Sequence, residues 1–459
     1  MGQSPQAPAG ADGPRANGPE ADGPAVDAPR PLMRMSIFRR LWAGDAVSRL
    51  GYQIALFLFP LLAVVELHSS GAEAGLVSAS QFVPVVVLSI VAGVFADRAP
   101  TRTLIVVCTV VRGAALALLG VGYALFGLSL WMLLTIAFVV GSATVFYDIG
   151  YQSAVPKLLR PKELAEGNGI LQASNSATQM AGPALAGVFV QLAGLPFAVT
   201  VTCALFAGAG LAFWSLRITE DEGAASARPG GRALLDGLRF TWTCRPIRNL
   251  CVQSGLFNLH EQAFLTAFMV YGVRQAGLSA GAVGLIIGVA SIGALAGSVG
   301  TGRLAARLHA GRALTTGLLI ASGSLLLGPL LAVAGALPPV AAYGLAFLCN
   351  GLALGAYNVY VMSLRQTIPP REYLGSVTAS YRLVALGPNP LGALVGGALA
   401  DALTPEKALL LIGASLTLSA LPLLISPVKR VRRVEDAGED LRAFVPAGPR
   451  PVSAEEREG

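Results

Sequence analysis

Apolar residues fall into runs of roughly 20 to 27 positions separated by turn signals or charge, at about 42–67, 75–96, 103–125, 130–153, 167–193 and 196–216. The same spacing returns at about 247–273, 280–301, 313–335, 339–362, 375–400 and 406–426. A helix of about 20 apolar residues crosses the hydrocarbon core of a bilayer. Most of these runs are apolar on every face, which leaves nothing for water to solvate, so lipid is the consistent solvent. The pattern predicts an all-α integral membrane protein with a six-helix bundle at 34–216, a central loop at 217–246 and a second six-helix bundle at 247–426. Residues 1–33 are rich in Gly, Pro, Ala and Asp and hold too little apolar surface to offset the entropy of ordering, so they read as a disordered tail. Residues 427–459 read as a second tail. No apolar leader precedes the first run, so span one is expected to direct insertion itself.

Composition narrows the class. Charged residues are 13% of the 459 positions against about 25% in soluble domains, and hydrophobic residues are 54%, which argues against a soluble enzyme. The net charge of +7 raises nucleic acid as a partner, but the basic residues lie between the apolar runs. Arg98 and Arg102, then Lys157, Arg160 and Lys162, then Arg303, Arg307 and Arg312, then Arg365 and Arg371 follow every second span, with more in the central loop and both tails. On the alternate side only Arg274 and Lys407 occur in the loops. Positive charge stays on the cytosolic face, so both termini are expected there and nucleic-acid binding is not. Arg-rich, Lys-poor and Ala/Gly-rich usage points to a bacterial plasma membrane. The five Cys form no CxxC and have no His at ligand spacing, so neither disulfide, metal nor cofactor is expected. No phosphate-binding Gly-x-x-x-x-Gly-Lys-Ser/Thr loop and no hydrolase or HExxH arrangement occurs, which leaves neither ATP drive nor enzymatic chemistry.

The two bundles echo each other. Gly93-x-x-x-Asp97-Arg98 followed by Arg102 returns as Gly302-x-x-x-Ala306-Arg307 followed by Arg312. Phe146-Tyr147-Asp148 matches Ala356-Tyr357-Asn358, and Gly182-Pro183 matches Gly387-Pro388. Parallel six-span repeats place a shared cavity at their interface, a plan suited to alternating access.

The loop Gly93-Val94-Phe95-Ala96-Asp97-Arg98-Ala99-Pro100-Thr101-Arg102 resembles the signature loop of the major facilitator superfamily, with Pro100 and Thr101 in place of its usual Gly-Arg. More narrowly, Arg49-Leu50-Gly51, the third span with Arg112, and the stretch from Tyr147-Asp148 to Pro156 are similar to the enterobactin-exporter-like efflux branch. The resemblance implies twelve transmembrane helices in two six-helix pseudo-repeats, with spans one, four, seven and ten lining the cavity. It also implies a latch in which Asp97 meets the positive N-terminal end of span eleven near Gly375 and Arg98 or Arg102 pairs with Asp148. The alternative is that these arginines only anchor topology. Gly182-Pro183-x-x-Ala186-Gly187 resembles the antiporter-associated Gly-Pro motif, read either as a bend that seals the outer end or as tight packing alone.

Asn168, Gln172, Asn175 and Gln179 recur at spacings of four, three and four and share one helix face, which should line a cavity or bond neighbouring helices. Ionisable groups inside spans are costly and so are functional candidates. Arg49, Arg112 and Arg382 tilt the interior positive, which suits an anionic or amphipathic ligand, unless Arg49 pairs with Asp45 one turn away and the other two are structural. Glu261 is the first candidate to carry a proton, with His260 beside it, against static pairing for both. Tyr147, Tyr151, Asn258, Tyr357 and Asn358 are candidate substrate contacts, because rings and amides suit amphipathic ligands. The expectation is a monomeric, proton-coupled exporter of a small molecule such as a drug or siderophore. The alternatives are a proton-symport importer of a nutrient and a non-transporting receptor or scaffold.

Overall fold

The computed structural model describes residues 32–160, 163–216, 239–305, 309–370 and 374–444. Span one is Ser36–Val65, span two Gly71–Arg98, span three Thr101–Phe126 and span four Leu130–Leu158. Spans five and six are the arms of one 51-residue helix, Leu164–Trp214, broken at Ala193 and at Gly194, whose φ of 72° only glycine adopts at low cost. Pro196 then starts the second arm, where its missing N–H costs nothing. Span seven is Arg245–Val270, followed by a wide turn at Tyr271–Gln275. Spans eight, nine and ten are Ala280–Ala305, Ala310–Val333 and Pro339–Thr367. Span eleven comes in two pieces, Leu374–Leu386 and Asn389–Ala402, because Pro388 and Pro390 remove two backbone donors within three residues. Span twelve is Pro405–Ala420 with a tighter turn at Leu421–Ile425.

Among the described residues, ten helices are long and apolar enough to cross a membrane, one of them the double-length Glu166–Trp214. Arg245–Val270 is more polar, yet its 26 residues rise about 39 Å, enough for a crossing. Leu118, Trp131, Leu211 and Val299 stand exposed on outward faces, which lipid covers and water would not.

The chain ends are more ordered than the apolar pattern predicts. Span one begins at Ser36, and Leu32, Phe38 and Leu41 are buried against its own bundle. Residues 427–444 fold back on the second bundle: Val428, Val431, Ala437 and Leu441 are buried, and the Ala310 and Gly311 N–H groups donate to Arg432 and Val431 carbonyls. The tail at 1–31, most of the central loop and residues 445–459 lie outside the described residues.

Each half repeats the same packing scheme, with span one on five and six, two on four and three on four, then seven on eleven and twelve, eight on ten and nine on ten. The halves meet through spans two and eleven and through spans five and eight. Both contacts are made backbone to backbone by small residues. A methyl added to Gly75 would lie 2.5 Å from the Ala393 carbonyl oxygen, and one added to Gly284 would lie 2.4 Å from that of Pro183. Gly71 and Ala280 open spans two and eight, so these seams sit at the end of the bundle far from the termini. Between the halves lies a central cavity lined by residues of both.

Candidate functional site

The cavity has two lobes. The first, about 670 Å³, lies against the N-terminal half and is walled by Arg49, Tyr52, Gln53, Arg112, Tyr147 and Asp148, among others. Asp45 and Arg49 are one helical turn apart, so they meet on one face of span one, Arg49 Nε donating to Asp45 Oδ2 at 2.8 Å. The Tyr147 hydroxyl donates to the other Asp45 oxygen at 2.9 Å. Arg49 Nη1 also stands 3.8 Å from Asp148 Oδ1, and Arg382 Nη2 donates to Asp148 Oδ2 at 2.7 Å. The result is a polar chain from Tyr147 through Asp45, Arg49 and Asp148 to Arg382, crossing from the first half to the second.

Arg112 is buried at 1% exposure and has no ion-pair partner among the described residues. Its charge is held instead by Ser48 Oγ at 2.8 Å, Thr109 Oγ1 at 3.2 Å and the Cys108 carbonyl at 3.3 Å. The guanidinium lies 4.1 Å from the Tyr147 ring centre and 4.9 Å from that of Phe206, close enough for cation–π attraction from both. Three arginines against two aspartates leave the first lobe with a positive excess.

The second lobe, about 650 Å³, lies against the C-terminal half and is lined by Asn258, Glu261, Asn350, Tyr357, Asn358 and Arg365, among others. Gln179, Thr378, Arg382 and Leu386 border both lobes, so the two are one continuous space. Asn258 Nδ2 donates to the Ala385 carbonyl at 2.8 Å, which ties span seven to the first piece of span eleven. The Arg382–Asp148 pair is the side-chain link across the cavity. At the far end, Asp401 on span eleven accepts from the Gly71 and Ala72 N–H groups of span two at 2.6 and 2.7 Å.

The predicted site residues do not all gather here. Asn175 and Gln179 line the first lobe, whereas Gln172 is exposed outside both. Tyr151 is buried behind the wall, stacked 5.8 Å from Tyr147 beneath Arg49. His260 turns away from its neighbour Glu261, since adjacent helical positions diverge by about 100°. Its ring nitrogens meet the Leu256 carbonyl and Ser415 Oγ of span twelve. Pro183 and Gly187 form the seam of span five on span eight, where a methyl at Gly187 would lie 2.5 Å from the Ala280 oxygen, whereas Gly182 packs against Gln53 of span one.

The partner expected for Asp148 needs correcting. Span four runs to Leu158, so Asp148 sits ten residues, about 15 Å, inside it, beyond reach of a latch at the helix end. It pairs with Arg382 and Arg49, while Arg102 donates to the Trp214 carbonyl and stacks 5.4 Å from the Trp214 ring. Gly93, Asp97 and Arg98 lie on the last turns of span two, with their side chains outside the described set. Arg307 lies outside the described residues, and Arg312 is exposed on the first turn of span nine. Arg365 counts along the chain among the loop arginines, and Asp401 falls at the end of an apolar run. Nothing local marks either one, because their partners lie on other spans.

Two six-span halves enclosing a charged cavity and sealed against each other at one end define a multi-pass membrane carrier. The sequence profile of the major facilitator superfamily matches residues 41–388, and the chain belongs to that family of secondary transporters, which are not enzymes. The "Uncharacterized MFS-type transporter YfiS" of Bacillus subtilis is 26% identical over 404 residues, covering 84% of this chain and 92% of that one. The "Multidrug efflux pump Tap" of Mycobacterium tuberculosis H37Rv is 25% identical over 391 residues, covering 78% and 84%. Among solved structures, the nucleoside transporter NupG superposes with a TM-score of 0.67 at 13% identity over 85% of this chain and 99% of that one. A bacterial homologue of the iron transporter ferroportin, in an inward-facing state, does so with 0.63 at 15% identity over 91% and 100%. These structural likenesses show the fold alone.

Proposed function

We propose that this protein is a proton-coupled exporter of small amphipathic or anionic molecules, resident in a bacterial plasma membrane and working by alternating access. The observation that carries this reading is the continuous two-lobed cavity, positive in its first lobe, bounded by both halves and sealed at the far end by the packing of spans two on eleven and five on eight. The Arg-rich loops all lie at the near end, which makes that end cytosolic under the positive-inside rule. In this scheme cargo loads from the cytosolic end while the far end is sealed. Kinship with efflux pumps supports the outward direction, and so does the likeness of Arg49-Leu50-Gly51 and of Tyr147 to Pro156 to the enterobactin-exporter-like branch. One chain encloses the whole cavity, so a monomer suffices.

Glu261 is the proton carrier in this scheme, because it faces the second lobe with no hydrogen-bond or ion-pair partner among the described residues. A carboxylate so placed is costly inside the bilayer, and neutralisation removes that cost. The signature-loop residues Gly93, Asp97, Arg98 and Arg102, with Arg307 and Arg312 in the second copy, close the near end in the opposite state, Asp97 meeting the start of span eleven at Leu374. Inverted membrane vesicles carrying an imposed pH gradient test the reading. Cargo accumulates inside them if the protein exports, and Glu261→Gln abolishes that accumulation. Accumulation only in right-side-out vesicles would establish uptake by proton symport instead.

A further inference from the structure

Arg365 falls in the loop-proximal last turn of span ten, where an arginine ordinarily reaches for water or lipid headgroups. Here its side chain lines the second lobe instead. Its guanidinium lies 4.2 Å from the Tyr381 ring centre, on the first piece of span eleven. Its Nε is buried with no hydrogen-bond partner, and among the described residues no carboxylate stands within ion-pair distance. The Tyr357 hydroxyl, on the same span and in the same lobe, is also buried and unpartnered. The nearby Tyr381 hydroxyl is already committed, donating to Ser254 Oγ at 2.7 Å. Asn358 and Arg365 are seven residues apart, so they share one face of span ten, and the Asn358 amide is exposed in the lobe.

Buried donors without acceptors are rare, because each forfeits its bond to water. Here a full cation and a phenol are left short of an acceptor beside the same cavity, with a free amide between them in sequence. An oxyanion supplies what is missing, since a carboxylate, sulfonate or phosphate accepts from a guanidinium fork and from neutral donors together. Around these groups the wall is apolar, with Phe257, Ala290, Ala294 and Leu354. Glu261 is seven residues beyond Ser254 on span seven, about 10 Å toward the far end, so a head group at Arg365 stays clear of that carboxyl.

We infer that the second lobe holds the acidic group of an amphipathic organic anion, with Arg365 as the charged ligand, Tyr357 and Asn358 as neutral donors, and Arg365 setting the selection for anions over cations. This rests on the reading of the cavity as the path of an exporter.

Two dyes with one xanthene skeleton and opposite charge separate the possibilities: fluorescein, an anion, and rhodamine 123, a cation. Their initial rates of accumulation are measured in inverted vesicles with an imposed pH gradient, together with fluorescein binding to the detergent-purified protein by fluorescence anisotropy. The expected result is fluorescein transport at least about tenfold faster than rhodamine 123. Arg365→Gln should weaken fluorescein binding and raise its KM about tenfold or more, the scale of one lost hydrogen bond to a charged group. Arg365→Lys should recover part of that loss, and Tyr357→Phe, which removes only an oxygen, should weaken binding severalfold. Unchanged fluorescein affinity in both Arg365→Gln and Tyr357→Phe overturns the inference and leaves export standing. Preference for rhodamine 123 does the same. Movement of neither dye by intact protein overturns the export reading, and the inference with it.

Discussion

Replacing Asp401 by asparagine should open the far end of the transporter. The carboxylate belongs to the second half, yet both its oxygens accept N–H groups from the first turn of span two in the first half, at 2.6 and 2.7 Å. The opening N–H groups of a helix have no partner within it, and the helix dipole makes that end positive. Ser70 and Glu73 already satisfy two donors through a reciprocal cap, Glu73 Oε2 accepting from Ser70 N–H at 2.7 Å and Ser70 Oγ from Glu73 N–H at 3.2 Å. Asp401 is therefore the only part of this end cap that depends on the halves staying together. Asparagine keeps the shape but loses the charge, and it turns an NH2 group toward a backbone donor. The dipole contributes about 0.3–1 kcal/mol at an exposed helix end and up to about 2 kcal/mol when partly buried. A loss of about 1–2 kcal/mol shifts the two-state ratio about fivefold to thirtyfold toward the far-end-open form. Spin labels at His68 and Arg274, exposed on far-end loops of opposite halves, report this as a distance distribution once the five native cysteines are replaced. The longer far-end distance should gain population in the Asp401→Asn protein. An unchanged distribution, or a shift to shorter distances, would refute the assignment of Asp401 as a cross-half clamp.

Other perturbations act on the same two seams and on the cavity. Gly75→Val and Gly187→Val push side chains into the Ala393 and Ala280 carbonyls, so each should cut transport at least about tenfold and lower the melting temperature in detergent. Arg382→Gln leaves Asp148 with only the 3.8 Å contact to Arg49, and near-end spin-label distances should widen while cargo binding survives; a narrowed near end would contradict the bridge. Glu261→Gln should abolish uphill accumulation while sparing downhill exchange of loaded cargo, measured as counterflow, and a loss of both would assign Glu261 to structure. Arg112→Met, which removes a buried cation without a carboxylate partner, should leave the melting temperature within a few degrees, since apolar replacement of buried charge is often neutral.

Much of the architecture was legible along the chain. Helix number, the six-plus-six division and the paired motifs follow from run lengths and spacing, because lipid forces every backbone donor into a local helix. The pairing of Asp45 with Arg49 was visible as a one-turn spacing, and so was the divergence of His260 from Glu261. The site was legible only in part. Asp148 was expected near a helix end with a signature-loop arginine, but its partner Arg382 lies 234 residues away on another span. Arg365 reads as a topology signal until span eleven brings Tyr381 beneath it, and Asp401 reads as a loop charge until Gly71 arrives from 330 residues away.

What the sequence alone determined is everything that depends on neighbours within a turn or two: which segments become helices, where proline and glycine break them, and which side of the bilayer their loops prefer. The tertiary structure alone decided which buried charges meet, which are left short of a partner, and which end of the bundle is sealed. The reason is that a helix in lipid satisfies its own backbone, whereas an arginine or an aspartate inside it can be satisfied only by another helix or by a ligand.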